Sequence, residues 1–101
     1  MKDLFNDKRI WSFLAENDIQ IYVGFRGDDY GGDRWYCIFR HRFTNESASI
    51  KDGCTLLGNY GNGNSPQEAF EDCFMVYAGK KAFFGRYKDG REVEVQFPII
   101  I

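Results

Sequence analysis

Apolar residues in this chain change their spacing several times, and each change marks an element. Over residues 3–17, Ile10, Trp11, Phe13 and Leu14 fall on one side of a helix, and Asp7-Lys8-Arg9 suits an exposed first turn after Asn6. Asn17-Asp18 ends that pattern. Residues 19–26 then alternate, with Ile19, Ile21, Val23 and Phe25 one way and Gln20, Tyr22, Gly24 and Arg26 the other. That period of two predicts a half-buried strand. After a Gly/Asp turn at 27–33, Arg34 to Phe43 alternates again. Trp35, Cys37, Phe39, His41 and Phe43 share the inward phase; Arg34, Tyr36, Ile38, Arg40 and Arg42 share the outward one. The two runs predict an antiparallel hairpin.

Residues 50–57 predict a third strand with a turn or bulge at Asp52-Gly53. The Gly/Asn run 58–64 follows, and its glycines suit a tight, partly left-handed path. Ser65, Pro66 and Glu68 then match an N-cap, a first helical position and a capping-box acid. The helix is expected over about 66–78, with Gly79 just past its end. Two more strands are expected at 82–87 and 91–97, joined by a hairpin turn at Lys88-Asp89-Gly90-Arg91. Ile99-Ile100-Ile101 reads as the end of the last strand. An edge ending in Phe97-Pro98-Ile99 offers a pairing surface, so both monomer and homodimer are open. The predicted fold is one α+β domain over 1–101. It has a single antiparallel sheet of four to five strands, with the principal helix and a shorter N-terminal helix on one face.

Composition agrees with a small folded domain. Aromatics make up 18% of the chain, with ten Phe, six Tyr and two Trp, which supplies core area in few residues. The net charge of −2 gives no overall pull toward nucleic acid or anionic membrane. No run approaches the roughly 20 apolar residues of a membrane span, and no signal-peptide pattern follows Met1. Cys37, Cys54 and Cys73 have neither CxxC spacing nor an even number, so reduced thiols in a cytoplasmic chain are expected.

Candidate chemistry is sparse. The Gly/Asn run lacks the Gly-Lys-Ser/Thr of a phosphate loop, and Pro66 stands where a third glycine of GxGxxG would be. His41 is the sole histidine, and Cys37 is too far along the strand to pair with it. Asp28, Asp29 and Asp33 lack calcium-loop spacing and have Arg26 and Arg34 beside them. Glu92 and Glu94 are expected to balance arginines across the sheet. No metal or cofactor is expected. What stands out is the outward phase of the hairpin, with Tyr22, Arg26, Arg34, Tyr36, Arg40 and Arg42 on one face. Tyrosine with arginine is a mixture found at protein-binding hot spots, and also a platform for single-stranded nucleic acid.

The segment Gly61-x-Gly63-x-Ser65-Pro66-x-Glu68-Ala69 resembles small proteins encoded by bacteriophages and prophages. It is also similar to HicB-like antitoxin domains, in which a glycine precedes a Thr-x-Glu-Glu-Ala helix start. The resemblance spans about residues 19–84 and implies a truncated RNase H-like fold. It further implies a non-catalytic protein that binds and blocks a macromolecule. The N-terminal helix and the length of 44–57 depart from that family, and the antitoxins' DNA-binding segment has no counterpart. The expected function is therefore a non-enzymatic binding protein, a phage-derived inhibitor of a host protein. It would act through the Tyr/Arg face or the acidic loop at 27–33. Single-stranded nucleic-acid binding is the alternative, and a small enzyme the second alternative.

Overall fold

The computed structural model describes residues 3–28, 31–43, 45–52, 55–58, 60–84 and 93–100. The expected 3–17 helix is two pieces, a 3-10 turn at Leu4–Asn6 and helix α1 at Lys8–Glu16. Asp7, not Asn6, caps α1. Its backbone is extended and its carboxylate accepts the Arg9 N–H at 2.9 Å, which satisfies a donor that a helix start leaves orphaned. Ile10 and Leu14 form the buried stripe. Trp11 stacks on Phe70 with ring centroids 5.0 Å apart and donates its indole N–H to the Phe5 carbonyl. It roofs the core rather than filling it.

Strands β1 (Ile19–Phe25) and β2 (Trp35–His41) form the expected antiparallel hairpin, from Ile19 opposite His41 to Phe25 opposite Trp35. The strand stops short of the predicted Phe43. Asn45 N–H returns to the His41 carbonyl, so the chain turns there and Phe43 is left 71% exposed.

The outer edge of β2 is shared by two later segments. Trp35–Cys37 pairs with β5 (Gly61–Gly63), while Phe39 and Arg40 take up Ala48 and Ser47. Between them the chain leaves the sheet as a second hairpin, β3 (Ser49–Asp52) with β4 (Thr55–Gly58). Asp52 pairs with Thr55, so the run expected as one interrupted strand is two. β3 then pairs with β6 (Lys81–Phe84), and β6 with β7 (Val93–Gln96). The single sheet of the sequence reading is thus corrected to two antiparallel sheets, ordered β1-β2-β5 and β4-β3-β6-β7. β5 and Ser47–Ala48 take the free edge of β2, and β6 and β7 join the sheet through β3, which has left the first sheet with β4. The turn expected at 88–91 lies outside the described residues.

Helix α2 (Pro66–Tyr77) begins and ends as predicted, with Ala78 as its C-cap and Gly79 at φ 75°. Ser65 Oγ accepts the Glu68 N–H at 3.1 Å. Ser65→Ala is expected to cost about 1 kcal/mol, read as a lower urea midpoint with an unchanged slope.

Two glycines read as loop formers have a different role. Gly61 and Gly63 lie in β5, and positive φ among the described glycines occurs only at Gly27 and Gly79. A Cβ on Gly61 would run into the Cys73 backbone and the Ala69 carbonyl; one on Gly63 would meet Ala69 N and Glu68. Glycine is required because α2 lies directly on β5.

The core joins both helices to the first sheet. Ala69, Phe70, Cys73, Phe74 and Tyr77 of α2 are buried. Phe97 follows β7 and meets Phe13, Phe39, Phe74 and Tyr77, with centroids 4.8 to 5.9 Å away. Tyr77 donates its hydroxyl to the Ala48 carbonyl at 3.0 Å. β7 ends at Gln96, so Ile99 and Ile100 do not extend it as expected. Pro98 instead supplies a carbonyl to Gly79 N–H. No helix among the described residues is long and apolar enough to cross a membrane.

Candidate binding face

The sheet β1-β2-β5 is covered by helices on one side only, and its other side carries the even-numbered residues of the hairpin. Tyr22 pairs with Ile38, Gly24 with Tyr36, and Gln20 with Arg40. Gly24 has a packing role here, since a Cβ would strike the Tyr36 ring that lies across it. Arg40 holds its guanidinium 4.8 Å from the centre of the Tyr22 ring. Its Nε is buried without a hydrogen-bond partner among the described residues, and the ring offers the guanidinium a cation–π contact.

Arg26 is anchored more firmly. It donates to Asn62 Oδ1 at 2.7 Å and to the carbonyls of Asp33 and Trp35 at 2.8 and 3.2 Å. The same guanidinium lies 5.1 Å from the Tyr36 ring centre and 5.6 Å from that of Tyr60. Arg26, Tyr36, Ile38 and Tyr60 line a shallow hollow of about 280 Å³.

Four of the six residues expected on this face therefore come together: Tyr22, Arg26, Tyr36 and Arg40. Arg34 stands outside these two stacks. It precedes β2 in the exposed loop, with its guanidinium 3.9 Å from Asp28. Arg42 lies past the end of β2, and its guanidinium sits over the Phe43 ring at 5.4 Å. Main-chain bonds from Arg26 N–H to the Arg34 carbonyl and from Arg42 N–H to the Asp18 carbonyl carry the register one pair past each strand end. Both arginines therefore keep the outward phase but sit against Asp28 and Phe43 rather than in the two stacks. Tyr60 and Asn62 join the face as well. Residues 60–63 alternate side chain and glycine, a period-two signal that a Gly/Asn-rich composition hides.

Other candidates resolve differently. Glu94 does not balance these arginines; it lies in the second sheet, 3.9 Å from Lys81, and Glu92 lies outside the described residues. In the acidic loop, Asp33 holds Arg26 through its main chain rather than its carboxylate, and Asp29 is outside the described residues. His41 is buried beside Phe84, and its Nδ1 accepts the Phe43 N–H at 3.3 Å, which in the neutral ring places the proton on Nε2. Cys37 and Cys73 are both buried and free, and Cys54 lies outside the described residues. The hydrogen-bonded Cys37 thiol, then burial, push the Cys73 thiol well above its ordinary pKa, so it stays protonated. No group of three or more metal-ligating side chains occurs among the described residues.

The start of α2 borders a cavity of about 570 Å³ lined by Asp33, Glu68, Glu71 and Asp72, among others. Asp72 accepts the Asn62 N–H at 2.8 Å, and Glu71 accepts the Leu4 N–H at 2.9 Å. Carboxylates thus occupy the place an anion would need, and one of them takes a main-chain donor of the Gly/Asn segment. Comparison with family models, curated proteins and solved structures finds no match to this chain.

Proposed function

We propose that this chain is a non-enzymatic binding protein that engages a protein partner through Tyr22, Tyr36, Arg40 and Tyr60. The observation that supports this most directly is the pair of arginine–tyrosine stacks on the sheet side away from the helices, where Tyr22 and Tyr60 are each 52% exposed. Aromatic and guanidinium groups already held in position lose little conformational entropy on binding, which suits a hot spot. Arg26, tied down on its own sheet, serves to position Tyr36 and Tyr60. Asp28 and Asp33 of the neighbouring loop would form a polar rim.

A protein fits this face better than single-stranded nucleic acid. Two guanidinium groups lie over tyrosine rings that bases would need for stacking, and the net charge is −2. The non-enzymatic reading draws support from the engagement of His41, Cys37 and Cys73 in the core. The resemblance to phage-encoded proteins extends the proposal to an inhibitor of a cytoplasmic host protein.

The test compares partners captured from host lysate by the native chain and by Tyr22→Ala and Arg40→Glu, each first checked for folding by circular dichroism. Loss of one specific partner by tenfold or more, about 1.4 kcal/mol, is expected for each variant. An unchanged partner set rules out this face. Salt-sensitive binding to a short oligonucleotide would move the reading to nucleic acid.

A further inference from the structure

We infer that two copies of this chain pair antiparallel through the outer edge of β1, about a two-fold axis at Tyr22, and so join their first sheets into one of six strands. The main chain carries the argument. Arg26 N–H donates to the Arg34 carbonyl and Arg42 N–H to the Asp18 carbonyl. With the register between them, this makes Gln20, Tyr22 and Gly24 the β1 residues whose main-chain groups face β2. The N–H and C=O groups of Ile19, Ile21, Val23 and Phe25 point the other way. Among the described residues no strand pairs with that edge, and these groups have no hydrogen-bond partner across it.

An exposed edge is normally protected by a charge, a proline or a bulge. β1, Ile-Gln-Ile-Tyr-Val-Gly-Phe, has no charged residue or proline and pairs without interruption over seven residues. The edge at β7 carries the exposed Glu94 and is followed by Pro98. β5 is only three residues long.

The β1 sequence is also self-complementary. Read in either direction from Tyr22, it gives the same alternation of apolar and non-apolar positions. In the two-fold register, Ile19 meets Phe25 of the second copy and Ile21 meets Val23. These are the residues with outward main-chain groups, so they form the hydrogen-bonded pairs, about eight bonds in all. Tyr22 meets Tyr22 at a pair without hydrogen bonds. Just beyond the strand, Asp18 and Arg26 flank the paired segment at both ends, so opposite signs rather than like charges lie near one another. Val23 and Phe25, exposed by 37% and 48%, gain apolar cover. A contact of this length buries on the order of 1,000 Å², the low end for specific interfaces, so a weak, reversible dimer is expected. It would place two Tyr22–Arg40 stacks side by side, although it does not depend on what that face binds.

Sedimentation velocity across a concentration series tests the pairing. The native chain should dimerise reversibly. Val23→Pro should be monomeric yet folded, because the lost N–H faces away from β2. Val23→Lys, which keeps the N–H, should weaken dimerisation at least tenfold. In a Cys54→Ser background, Tyr22→Cys should crosslink two copies under mild oxidation and Gln20→Cys should not, because only position 22 faces itself. Three results would each overturn the inference: a native monomer up to millimolar concentration, dimers indifferent to both Val23 changes, or equal crosslinking at positions 20 and 22.

Discussion

Gly61→Ala is expected to destabilise the fold by about 3–5 kcal/mol, a large share of the roughly 5–15 kcal/mol that holds a domain folded. Overpacking usually costs about 1–3 kcal/mol because flexible side chains move aside. At Gly61 the obstacles are the Cys73 backbone and the Ala69 carbonyl, inside a hydrogen-bonded helix. β5 cannot retreat easily either. Gly61 is paired with Cys37, and the next residue gives its N–H to Asp72. Relief would require α2 to lift off the sheet, exposing the apolar face that includes Phe70, Cys73 and Phe74. Urea denaturation measures the loss. Gly31→Ala is the control, since nothing lies within 4 Å of its Cβ position, and it should stay within about 0.5 kcal/mol of the native chain. A similar small effect at Gly61 would mean that α2 rests on β5 more loosely than this packing requires.

Phe97→Ala is expected to cost about 3–5 kcal/mol, the range for deleting a fully buried aromatic ring. Phe97 is 1% exposed and meets residues of α1, β2 and α2 at once. It is also the direct continuation of β7, with its N–H bonded to the Lys80 carbonyl. The ring therefore fastens the second sheet to the core built on the first. Hydrogen exchange should show the consequence, with protection lost together in β6, β7 and α1. Loss confined to the last few residues would show that the second sheet is held by other contacts.

The legible parts of this fold are those decided within a few residues of sequence. Ser65, Pro66 and Glu68 announced α2 because a cap is satisfied locally, by one hydroxyl and a main-chain N–H three residues on. The β1–β2 hairpin was legible because alternation sorts residues between two faces. The inward residues Cys37, Phe39 and His41 are indeed buried. The candidate site was legible to the same extent: Tyr22, Arg26, Tyr36 and Arg40 share a face because they share a phase, while Arg34 and Arg42, of the same phase, sit against Asp28 and Phe43.

By itself, then, the sequence determined the main helices, the start of α2 and the facing of the first hairpin, all set by short-range hydrogen bonding and period. Tertiary structure decided the rest. It divided the strands between two sheets, because Gly61–Gly63 with Ser47–Ala48 takes the β2 edge while β3 turns away to pair with β4 and β6. It made Gly61 and Gly63 a bed for α2 rather than a flexible loop, because the helix approaches too closely for a Cβ. It also brought Tyr60 and Asn62 to Arg26 across 34 and 36 residues of sequence. Alternation says which way a side chain faces; which strand lies beside it depends on the edges left free when the chain packs.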